Sequence, residues 1–323
     1  MARASKAPGA TTFEAEFRPD WLKDIRVNLS GVERRVTTLA GRRTVKKDWQ
    51  IAWMLKAISC MDLTTLAGDD TPGRVQRLCR KARSPVRADL LSLAGFADEE
   101  LTTGAVCVYH AMVPVAAECL RDTGIPIAAV STGFPAGLSP MRTKLQEIRA
   151  SIKAGATEID IVVTRAHILN HNWRALFNEI KAFKEACGSV HMKTILSIGE
   201  LGSLNNVAKA SMVAMMAGSD FIKTSTGMES VNANLPVSLV MMRMIREFHE
   251  MTGVKVGFKP AGGIRTSKQA VSYLVLLKEE LGKEWLNPEL FRFGASGLLT
   301  DIEKQLEFHL TGHYSADHRH AIA

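Results

Sequence analysis

Aromatic residues are scarce in this chain, at 6% of the sequence. The many lysines and arginines are scattered and not interleaved with aromatics, which argues against a nucleic-acid surface. The formal charge of +8 therefore points to a phosphorylated metabolite, or to a solvated basic surface. Cysteine is also sparse: Cys60, Cys79, Cys107, Cys119 and Cys187 are odd in number and form no Cys-x-x-Cys. Reduced thiols in a cytosolic setting are expected. No apolar run approaches the roughly 20 residues of a spanning helix, so no membrane partner is expected. Residues 1–12 are small and basic but lack an apolar signal core. Their Arg and Ser enrichment is too slight to favour a mitochondrial presequence, so a cytoplasmic location is expected, with a nuclear pool compatible. No Gly-x-Gly-x-x-Gly comes after the first strand candidate, which weakens a dinucleotide fold. His-Glu-x-x-His is missing too, and no metal or other cofactor is expected.

Residues 1–57 stand apart from the rest of the chain. After a flexible start, 19–29 reads as a short helix opening at Pro19-Asp20 and ending near Gly31. Residues 46–58 read as a second helix, with Trp49, Trp53 and 55–58 as an apolar packing stripe. From Ile58 a rhythm begins. Eight short apolar runs, at 58–63, 105–109, 127–130, 158–163, 191–196, 221–223, 254–259 and 291–294, alternate with amphipathic stretches of helix length. Thr71-Pro72 caps one such helix, and Gly155 and Gly218 stop two others. Continuous apolar strands imply a parallel sheet buried on both faces. Eight strand–helix units over about 250 residues fit an α/β fold of the (β/α)8 barrel type. An open doubly wound sheet is the alternative. The expected organisation is a helical extension over 1–57, the barrel over 58–311 and a polar, His-rich tail over 312–323.

Reacting groups of such barrels sit at the C-terminal ends of the strands. Asp62, Asp160, Lys193, Lys223 and Lys259 fall on strands one, four, five, six and seven. Charges on buried strands are costly, and their convergence on one mouth points to an active site. Lysines on neighbouring strands repel, so one of them loses its proton more easily and can attack a carbonyl. Asp160 can then move protons through bound water. This is the chemistry of a class I aldolase, in which a covalent iminium is the electron sink. Gly262-Gly263 after strand seven and Ser296-Gly297 after strand eight suit an anion, because barrels often bind phosphate at these loops. Cys107 reads as a small buried residue, or as a thiol facing the mouth.

The segments FIKTSTG (221–227), GFKPAGGIRT (257–266), FGAS (293–296), MDLTTL (61–66) and EIDIVV (158–163) resemble the deoxyribose-phosphate aldolases, with the likeness running from about residue 58 to 310. The N-terminal extension resembles that of the longer, eukaryotic-type members. The resemblance implies Lys223 as the Schiff-base lysine, Lys259 as the second lysine that perturbs it, and Asp160 as the proton relay. It implies Asp62 and Thr64 as pocket residues, beside Cys107 and Lys193, and Gly227, Gly262, Gly263, Ser296 and Gly297 as the phosphate cradle. The implied partners are a phosphorylated sugar and small aldehydes, and a homodimer is compatible. Departures occur at Met228, where members commonly carry Lys, at Gly297, where a hydroxyl residue is usual, and at Ser197, acidic in many bacterial members. A tail tyrosine assists proton transfer in some members, and Tyr314 is the tyrosine in this tail. An isomerase with a phosphate-binding barrel, and a catalytically retired scaffold, are the competing readings.

Overall fold

In the computed structural model, eight strands form one parallel sheet: β1 (Met61–Thr64), β2 (Ala105–Tyr109), β3 (Ile127–Ser131), β4 (Glu158–Val162), β5 (His191–Ile195), β6 (Phe221–Lys223), β7 (Gly257–Lys259) and β8 (Phe293–Ala295). The sheet runs in order from β7 down to β1 and then to β8. Isolated parallel bridges, Phe258 with Phe291 and Ala261 with Gly294, join β7 to β8 and close the barrel. The structure describes residues 14–96 and 100–321, so the basic start at 1–12 lies outside the described residues. The closed ring excludes the open doubly wound sheet.

The two-residue period of a strand divides the side chains between two environments. Val106, Val108, Ile159, Ile161, Met192, Ile222 and Phe258 join the main core under the surrounding helices. Alternate residues point into the barrel, where Cys107, Ala128 and Val130 form a small apolar cluster of their own. The helices are held by side-chain caps. Thr71, Asn172, Ser203 and Asn234 each accept a backbone N–H in the first turn of the helix they precede, and Thr266 forms a capping box with Gln269. The stops also fall where expected: Gly155 at φ +112° and Gly218 at φ +92° end their helices in conformations a side chain would resist. Met212, Met215, Met216, Met241 and Met242 are buried as packing residues. Among the described residues no helix is long and apolar enough to cross a membrane.

The extension differs from its sequence reading. Residues 19–29 are not one helix. Pro19–Leu22 makes a single 3-10 turn, and a separate helix, Leu29–Thr37, comes after it. Asn28 caps that helix by accepting the Gly31 N–H at 2.9 Å, so Gly31 sits in a first turn and stops nothing. A later helix is Asp48–Ser59, so Ile58 belongs to it and β1 starts three residues on, at Met61. Ile58 is drawn into the helix because it completes a buried face with Met54 and Leu55. Trp49 is 73% exposed and takes no part in that face. β7 and β8 are also shorter than their apolar runs.

The tail turns away from the mouth. Helix Gly297–Thr311 starts just past β8 and runs back down the barrel wall. The tail then folds on the far end of that helix. Tyr314 stacks on Phe308 with ring centroids 5.0 Å apart and is otherwise exposed, while His320 is buried against Glu303 and Glu307. Tyr314 is therefore at the opposite end of the barrel from the strand C-termini.

Candidate active site

Inside the barrel the sequence-predicted charges do converge, and they are fully buried. Lys223 donates to Asp160 Oδ2 at 2.8 Å, and Lys259 donates to the same oxygen at 2.7 Å. Lys259 also bonds Asp62. In register, Lys223 lies beside Lys259 on one side and Ile195 on the other. Room for the Lys259 side chain comes from β8: a Cβ on Gly294 would lie 3.3 Å from Lys259 Cε and 2.8 Å from Ala261 Cβ.

Lys193 is placed differently from its sequence reading. It sits two residues before Ile195, hence below the level of Lys223. Its ammonium is taken up by Glu158 and, at 3.1 Å, by Asp160 Oδ1. It acts as a buried counter-charge beneath the mouth. Two further members of this layer, Glu158 and Arg292, are given no role by the sequence reading, although Glu158 opens the EIDIVV segment. Glu158 precedes Asp160 by two residues on β4 and so shares its face. Arg292, two residues before Gly294, reaches Asp62 Oδ1 at 2.7 Å and Glu158 Oε1 at 3.0 Å. The period of two that turns Asp160 inward does the same for both.

The electrostatics separate the lysines. Burial pushes Lys223 down most strongly; Asp160 pulls it back up, Lys259 pushes it down again, and the balance lies below the ordinary lysine value. Burial also opposes the charge on Lys259, but Asp160 and Asp62 together outweigh it and hold the ammonium firmly. Burial would raise Asp160, yet Lys193, Lys223 and Lys259 keep it an anion well below the carboxylate range. The arrangement thus favours one amine that sheds its proton beside one cation that keeps it.

Cys107 and Thr64 face the same interior. Burial pushes the Cys107 thiol up, so it is a neutral, compact wall residue. The Thr64 hydroxyl donates to the Asp62 carbonyl at 2.7 Å. Past the strands, Gly227, Gly262 and Gly263 have φ of +89°, +80° and +81°, conformations that favour glycine. The Gly227 N–H donates to Glu229 at 3.2 Å, and Gly262 N–H to the Gly294 carbonyl at 3.4 Å. Among the described residues, no protein acceptor takes the amides of Gly263 or Gly297. Ser296 leads into the helix that Gly297 opens, a terminus favourable to negative charge. Met228 stands half-exposed at the rim, in a cavity of about 390 Å³ shared with Arg165 and Glu229. Among the described residues there is no group of three or more His, Cys, Asp or Glu able to hold a metal ion.

Comparison with known proteins agrees with this geometry. The model of the DeoC/LacD family aldolases matches residues 56–299. The chain is 57% identical over 305 residues to the deoxyribose-phosphate aldolase of Mus musculus, covering 94% of this chain and 96% of the mouse protein. Identity to the Homo sapiens deoxyribose-phosphate aldolase is the same over the same lengths. A deoxyribose phosphate aldolase from Aeropyrum pernix, described as having a unique tetrameric structure, superposes with a TM-score of 0.58 at 21% identity, covering 87% of this chain and 99% of that one, and bears on the fold.

Removing the charge of Lys259 should bring Lys223 back toward an ordinary amine. Lys259→Leu is expected to keep the fold and lose activity at neutral pH by about tenfold for each unit that Lys223 rises. If Lys223 reacts as the neutral amine, activity appears as pH rises through its pKa, so the rising limb of kcat/KM should move to higher pH. A residual profile with an unmoved limb would deny Lys259 this role. The chain belongs to the DeoC/LacD family of aldolases.

Proposed function

We propose that this chain cleaves 2-deoxy-D-ribose 5-phosphate reversibly to D-glyceraldehyde 3-phosphate and acetaldehyde, as a class I aldolase with Lys223 as Schiff-base residue. The observation that carries the reading is the single Asp160 oxygen shared by Lys223 and Lys259, with Lys223 the amine depressed below its ordinary value.

Neutral Lys223 Nζ attacks C1 of the open-chain sugar, and the carbinolamine loses water to give an iminium. Loss of the C3 hydroxyl proton then breaks the C2–C3 bond. Its electron pair moves onto the C1–C2–N unit as an enamine, and glyceraldehyde 3-phosphate departs. Protonation at C2 restores the iminium, and water releases acetaldehyde and free Lys223. Asp160, anionic at rest, takes up and returns these protons through water, while the Lys259 ammonium steadies negative charge as it develops. Asp62 and Thr64 line the floor of the sugar site. The sugar phosphate is placed at Gly262-Gly263 and Ser296-Gly297, with Gly227 shaping the cradle through its conformation, since its amide is already given to Glu229.

Borohydride added with acetaldehyde should reduce the iminium and fix an ethyl group on Lys223, found by mapping the modified peptide. Intact turnover without such an adduct would favour the isomerase reading, which needs no covalent lysine. At the rim, Met228→Lys should raise the preference for phosphorylated over unphosphorylated substrate by roughly fivefold, equivalent to ~1 kcal/mol from a half-exposed cation. An unchanged ratio would put Met228 outside the phosphate site.

A further inference from the structure

Beneath the reacting amine lies a layer of charge whose composition is unequal. The cations are Lys193, Lys223, Lys259 and Arg292, and the anions are Asp62, Glu158 and Asp160. Four cations less three anions leaves one positive charge without a counter-charge. All seven groups are buried, so bulk solvent does little to screen the excess. Among the described residues, the remaining interior-facing groups do not supply the missing anion. β2 contributes neutral Cys107, and β3 contributes Ala128 and Val130. β5 adds His191, whose Nδ1 stands 3.7 Å from Glu158.

The contacts decide which cation bears the excess. Arg292 cannot be deprotonated, and it bridges Asp62 and Glu158. Lys193 touches Glu158 and Asp160 and stands 3.7 Å from Asp62, and Lys259 touches Asp62 and Asp160. Lys223 has Asp160 alone, through an oxygen that Lys259 also uses. Losing the proton from Lys223 therefore sacrifices the fewest contacts and brings the layer to balance. The position of Arg292 is built in: a Cβ on Gly104 would meet the Ser59 carbonyl at 2.8 Å and Arg292 Cδ at 3.2 Å. Its Nε is bonded to the Pro288 carbonyl.

We infer that Arg292 is a positioning residue of the reaction: from below the mouth it supplies the permanent cation that makes the layer one positive charge too rich, and so makes Lys223 the amine that most readily gives up its proton. It touches no reacting atom and acts through Asp62 and Glu158 on Lys259 and Lys193. The inference rests on Lys223 being the Schiff-base residue.

The test compares Arg292→Met, Arg292→Lys, Glu158→Gln and the Arg292→Met/Glu158→Gln double variant. The readouts are the rising limb of the kcat/KM profile and the pH dependence of borohydride trapping by acetaldehyde. Arg292→Met balances the layer with Lys223 charged, so the limb should move up by about one pH unit, a tenfold loss on its lower side. Glu158→Gln removes an anion, so its limb should move down. Arg292→Lys keeps the charge, and the double variant keeps the surplus of one, so both should stay near the parent. Opposite shifts with restoration in the double variant are beyond a merely structural lesion. If Arg292→Met fails to fold, Arg292→Gln, which keeps a hydrogen-bond donor toward Asp62 and Glu158 but no charge, takes its place in the same comparison. Limbs that do not move, or that move in the same direction, would overturn the inference. Failure of the parent enzyme to be trapped on Lys223 would instead overturn the Schiff-base reading.

Discussion

Asp160 accepts from Lys223 and Lys259 through one oxygen and from Lys193 through the other, in an interior with essentially no exposed surface. Taking ions out of water costs several kcal/mol each unless partners replace the solvent. Every member of this layer has a partner, but the anions are one too few. That shortage is the constraint on which the chemistry depends. It keeps Asp160 anionic and makes Lys223 the group that is easiest to neutralise, while Asp160 and Asp62 hold Lys259 charged. The same burial that would be a liability in a structural core becomes the means of lowering one amine below the ordinary lysine value.

The barrel is what lets seven charges meet. Each strand gives one set of alternate positions to the apolar shell under the helices and leaves the other set for the interior. Parallel pairing brings Asp160 level with Lys193, and Lys223 level with Lys259. Glycines make space where the charged chains cross: Gly294 beside Lys259, and Gly104 beside Arg292. The loops at the strand ends add backbone amides in place of further side-chain charge, so the balance below them is left undisturbed.

Much of this is legible from residue types and spacing. The eight apolar runs, the helix stops at Gly155 and Gly218, and the meeting of Asp62, Asp160, Lys223 and Lys259 all come from periodicity. Where sequence and structure differ, the causes are physical. Strand one begins later than its apolar run because Ile58 suits a strand as well as a helix, and the buried face with Met54 and Leu55 decides the matter. Gly31 resembles a helix stop until Asn28 is seen to cap the turn around it. Lys193 carries no sign in the sequence that its charge is taken up by Glu158 and Asp160 below the mouth. Arg292 and Glu158 are legible in principle. An arginine at the edge of a short strand reads most simply as solvent-facing, and closure of the barrel is what buries it. Tyr314 illustrates the limit of sequence order: a helix separates it from β8, and that helix carries it to the opposite end.

The central claim concerns the resting state of one amine. It can be observed directly by NMR titration of enzyme carrying 13C at lysine Cε, with Lys223 identified as the signal lost in Lys223→Met. The account predicts that Lys223 titrates below the ordinary lysine value of 10.5. The Lys259 signal should stay that of an ammonium throughout. A Lys223 that titrates at or above 10.5, or a Lys259 that loses its proton first, would contradict it.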